Sequence, residues 1–71
     1  MTYRITEARK IAPEILTALS KNSRITERDK DVVKRVLSGE TYRAVAQDFG
    51  IGLERVRGIC FATFQKLGFK L

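Results

Sequence analysis

Glu54, Arg55 and Arg57 stand within four positions near the carboxyl end, and of all the side chains in this 71-residue chain they are the best suited to chemistry. That chemistry is recognition. A guanidinium donates in a planar fork that matches a phosphate or the O6 and N7 edge of guanine, while a carboxylate such as Glu54 accepts from the amino group of cytosine. Catalysis is not expected. The chain has no histidine, no phosphate-cradling glycine loop and no cysteine–histidine pair, and its acidic residues fall at helix-surface spacings. Its lone cysteine, Cys60, has no partner for an internal disulfide, and without histidine a usual zinc site is excluded, so no metal or cofactor is expected. Cys60 reads instead as a small buried apolar residue in a reducing compartment.

The elements that must hold those charges are legible in TYRAVAQDFGIGLERVRGICFATFQKL, from Thr41 to Leu67. It reads as a helix over Tyr42–Phe49 capped by Thr41, a turn pivoting on Gly50, and a second helix over residues 53–67 ended by Gly68. Gly reaches positive φ at little cost, whereas a β-branched residue at such a pivot would be strained. Ala46 is small enough for a close crossing, with Ile51 and Val56 as apolar wedges; Tyr42, Val45, Ala46 and Phe49 should face inward. On the second helix, 100° per residue puts Val56, Ile59, Cys60, Thr63 and Leu67 on a core side, with Leu53 and Phe64 flanking it. Glu54, Gly58, Phe61, Ala62 and Gln65 form the opposite side, and Arg55 and Arg57 stand on its two borders. Arg57 lies about 60° from Glu54 and Arg55 about 100° from it, which assigns Arg57 to a base and Arg55 to a phosphate. Gly58 costs about 1 kcal/mol relative to alanine in mid-helix, explained either by close approach to DNA or by tolerance in a well-packed helix. Phe61 suits a thymine methyl, the amino-terminal helix or a second subunit, packing being the preferred reading. Arg43 is placed for a phosphate. Thr41 and Leu53 complete the expected DNA-facing set.

Upstream, Ile5, Ala8, Ala12, Ile15, Leu16 and Leu19 recur at near-helical spacing, interrupted by Pro13, and a break near Ala12 is expected. Residues 21–24 read as a loop. Thr26 caps the next helix, with Asp29 in the place of the reciprocal capping residue, Val32, Val33, Val36 and Leu37 as its buried stripe, and Ser38-Gly39 as its end. The whole is one small all-α domain of four or five helices over residues 1–71, an amino-terminal helical segment at 1–22 preceding a module at 25–68.

Fourteen basic residues oppose eight acidic ones, a net charge of +6 with a pI near 10. Residues 1–25 and 52–71 each carry a net +3 and the middle of the chain none. Such a balance favours a polyanionic partner. No run approaches the roughly 18 apolar residues of a membrane span, and no apolar stretch of signal-peptide type is present, so a cytoplasmic protein is expected.

Residues 25–67, from the Thr-Glu-Arg at 26–28 through the Ala46 and Gly50 core of the turn to Glu54-Arg55-Val56-Arg57 and the closing Lys66-Leu67, resemble region four of bacterial sigma factors. The resemblance implies a helix that enters the major groove, with Glu54, Arg55 and Arg57 contacting bases or backbone. Gly52, Leu53 and Gly58 depart from that pattern, standing where a Ser or Thr cap, a basic residue and a glutamine are frequent. Quorum-sensing response regulators share the turn and match the Glu-Arg-Val-Arg segment less well. The chain has no second domain of the promoter-melting kind.

These observations give a double-stranded DNA-binding transcription regulator of bacterial, plasmid or phage type. It is expected to act as a homodimer on half-sites about one helical turn apart, joined through the amino-terminal helix or a Phe61, Phe64, Phe69 cluster. The alternative is a protein-interaction module that mimics sigma region four and binds RNA polymerase or an anti-sigma partner.

Overall fold

Pro13 divides the amino-terminal segment where its ring requires. In the computed structural model, which describes residues 5–69, helix α1 (Ile5–Lys10) stops, Ile11 adopts a non-helical conformation, and α2 (Ala12–Lys21) begins with Pro13 in its first turn. There the missing N–H costs little, because a donor in the first turn of a helix has no acceptor within that helix. Helix α2 keeps Lys21, so the loop that follows begins one residue later than the sequence suggests.

Helix α3 (Glu27–Leu37) starts where Thr26 accepts a hydrogen bond from the Asp29 N–H at 3.2 Å. The Asp29 carboxylate lies 3.5 Å from Arg28. Gly39, at φ 112°, ends the helix: its N–H reaches the Val36 carbonyl and that of Glu40 reaches Arg35. Two further elements follow, α4 (Tyr42–Phe49) and α5 (Leu53–Lys66). The fold is all-helical, with five helices and no strand among the described residues.

The core lies where α3 and α4 pack against α5, closed from the other side by α1 and α2. Val32, Val33 and Val36 of α3 are fully buried, as are Val45 of α4 and Val56 and Cys60 of α5. Beta-branched side chains are stiff, so α3 presents a short, firm surface that leaves depth to be filled from across it. Phe64 is the largest fully buried side chain of the shared core. It is 1 % exposed, and this corrects its expected place on the flank of α5. Two neighbouring helices cover a wider arc of α5 than a single stripe, and the added arc runs toward Phe64 while Ile59, on the other border, is only half-buried.

The interhelical polar links are long-range and invisible to periodicity. Arg9 of α1 donates from Nε to the Val36 carbonyl and from Nη2 to the Glu40 carbonyl, both at 3.1 Å. It thereby satisfies acceptors at the carboxyl end of α3, where a cation is also favoured by the helix dipole. Arg35 pairs with Asp48 and lies over the Phe49 ring, 5.3 Å from its centre, which ties α4 to α3.

Candidate functional site

The turn between α4 and α5 is built from three residues, 50–52. Gly50 stands at φ 66° and ψ 32°, the left-handed conformation expected of it, so that the Ile51 N–H can return to the Ala46 carbonyl at 3.0 Å. Ile51 folds back against the core, and Ala46 is buried beneath the turn. Gly52 then takes an extended conformation as the residue before α5, offering no side chain to cap it. Backbone N–H groups in the first turn of α5 are accordingly left to solvent or a partner.

All eight expected contact residues, Thr41, Arg43, Leu53, Glu54, Arg55, Arg57, Gly58 and Phe61, are exposed. Two begin α4 and six lie on α5. Thr41 caps α4, its hydroxyl oxygen accepting from the Ala44 N–H at 3.1 Å, which leaves its own proton for donation outward. Arg57 donates to Glu54 at 3.3 Å across one turn. Arg43, Arg55 and Lys66 form no ion pair among the described residues. These are cations held on rigid helices and not neutralised by the chain itself. Arg9 and Arg35, by contrast, are committed to internal contacts.

Helical geometry separates these groups into rows. Leu53, Arg57, Phe61 and Gln65 follow one another at intervals of four and form a single ridge along α5. Beside it run Glu54, Gly58 and Ala62, and the two small residues leave a shallow open depression lined by Glu54, Arg57, Gly58, Phe61, Ala62 and Gln65. Arg55 lies on the far side of that depression, about 160° from Arg57. Leu53 and Phe61 are the exposed large hydrophobic residues among those described, at 37 % and 38 %.

A β-carbon built at Gly58 would meet nothing within 4 Å, so no neighbour in the fold requires glycine there. Gly58→Ala should therefore raise the unfolding free energy by about 0.5–1 kcal/mol, measured by urea denaturation. A loss of stability would mean that the helix is distorted at this point.

Cys60 is buried, and burial, assisted by the Asp29 carboxylate, pushes its thiol up to about 12. It stays protonated at neutral pH and serves as core. The expected aromatic interface is corrected as well: Phe64 is buried and Phe69 packs partly against the core, which leaves Phe61 alone exposed. The buried residues of α2, Ile15 and Leu19, are likewise turned inward. The internal roles of Arg9, Arg35 and Asp48 escaped the sequence reading, because partners 13 to 31 residues apart leave no local signal.

Comparison with protein-family models, with curated proteins and with solved structures finds no match to this chain. No helix among the described residues is long and apolar enough to cross a membrane.

Proposed function

We infer that the protein is a sequence-specific double-stranded DNA-binding regulator of transcription, related in its mode of action to region four of sigma factors, with α5 laid in the major groove. The observation that carries this reading is the row of exposed recognition side chains on α5, fixed behind a glycine-pivoted turn and accompanied by cations that the fold does not neutralise. Helix α4 would cross the phosphate backbone with Arg43, while the exposed face of α5 meets base edges.

The two arginines take different parts for an electrostatic reason. Glu54 beside Arg57 repels phosphate, and the exposed pair is worth only about 0–1 kcal/mol, less than the 1–3 kcal/mol of a bidentate guanine contact that replaces it. Arg57 is therefore the base reader. Arg55, without a carboxylate beside it, suits a phosphate. Arg57→Ala should cost about 1–3 kcal/mol on the preferred duplex and relax preference at one position. Arg55→Ala should weaken preferred and scrambled duplexes alike. Mobility shift of both variants on both duplexes measures the difference; equal losses from Arg57→Ala on the two duplexes, with discrimination lost in Arg55→Ala, would reverse the assignment.

Two copies on half-sites about one helical turn apart would supply the specificity that one helix lacks. Among the described residues Leu53 and Phe61 are the exposed large hydrophobics and both belong to α5, so such a pair would be assembled by the DNA. Control then comes from protein concentration and the spacing of sites.

A further inference from the structure

We propose that α5 reads its site mainly by touching thymine methyl groups, through Leu53 and Phe61, at two positions three to four base pairs apart with the base read by Arg57 between them. The proposal rests on the duplex-binding reading and adds the kind of sequence bound.

The polar inventory of the exposed face is small. Gly58 and Ala62 carry no hydrogen-bonding side chain, Glu54 is engaged with Arg57, and Gln65 lies in the last turn of the helix. What the face offers in place of donors and acceptors is apolar surface. Leu53 is 37 % and Phe61 38 % exposed, the large hydrophobic residues exposed among those described. Both occupy the same ridge, eight residues apart, with Arg57 midway.

At 1.5 Å per residue the two lie about 12 Å apart along the helix axis, a span of roughly three to four base pairs at 3.4 Å each. The 5-methyl of thymine is the apolar feature of the major groove, and Phe and other apolar side chains read it by contact. The depression at Gly58 and Ala62 lies alongside the ridge, so nothing on the neighbouring row holds the groove floor away from it. Charge selects a duplex: residues 52–71 carry four basic groups and one acidic, and Arg55 and Lys66, which stand across the depression from the ridge, have no ion-pair partner among the described residues. A groove with phosphates along its wall and methyl groups on its floor fits that arrangement.

The test begins with a duplex selected from a random pool by the full-length protein, followed by replacement of each thymine in turn with deoxyuridine, which removes the methyl and keeps the pairing. Affinity should fall about three- to fivefold at each of two positions and be unchanged elsewhere. Leu53→Ala should abolish the thymine preference at one of them and Phe61→Ala at the other, with helicity retained by circular dichroism because both side chains are exposed. If the selected duplex binds equally well with uracil throughout, the methyl readout is wrong while duplex binding stands. If no duplex is bound even at low salt, both fall, and the ridge belongs to a protein partner.

Discussion

Phe64→Ala is expected to leave most of the protein unfolded at 37 °C. The side chain is 1 % exposed in the last turn of α5 and is the largest of those fully buried. Truncating a buried phenylalanine costs about 3–5 kcal/mol, the sum of lost transfer energy and the cavity left behind. A single core in a chain this short supplies little more than that, roughly 3–5 kcal/mol. The α3 valines that share its core have branched side chains with few rotamers to choose from, and such a core closes a gap poorly. Urea melts followed by far-ultraviolet circular dichroism measure the effect. Phe61→Ala is the control: the same chemical change at a 38 % exposed position should shift stability by less than about 1 kcal/mol. Equal midpoints for the two variants would mean that α5 is rotated from its described orientation.

That contrast between two phenylalanines three positions apart also marks how far the sequence could be read. The boundaries of α4, its Thr41 cap and the left-handed Gly50 were all legible, because caps and glycine pivots are local and their physics is complete within five or six residues. Val56, Cys60 and Thr63 were likewise found on the buried side by spacing alone. Phe64 was not. Periodicity gives the angle of a side chain about its own helix but not the width of the arc that neighbours cover, and here α3 and α4 cover it together. The same limit hid Arg9, whose value to the fold is set by two carbonyls of a helix end that chain connectivity alone does not bring near it. For the candidate site, exposure of all eight residues followed from pattern, whereas the pairing of Glu54 with Arg57 emerged only with side-chain geometry.

Duplex affinity is expected to fall about fortyfold between 50 and 200 mM salt. The formal charge of +6 overstates what DNA would meet, since Arg9 and Arg35 are spent on carbonyls and on Asp48 within the fold. Arg43, Arg55 and Lys66 remain unpaired among the described residues of α4 and α5, while Arg57 is given to a base. About three phosphates neutralised give a slope of log affinity against log salt near −2.7, at roughly −0.9 for each. Over a fourfold change in salt that slope amounts to about 1.6 powers of ten. Arg55→Ala should reduce its size by about 0.9 without altering which duplex is preferred. Mobility shift or anisotropy at four or five salt concentrations gives the slope directly. A value near zero would remove phosphate contact from the reading and with it the case for DNA. A slope near −6, in contrast, would require cations beyond α4 and α5, and Lys21 and Arg24, exposed at the end of α2 and in the loop after it, would be the next to test.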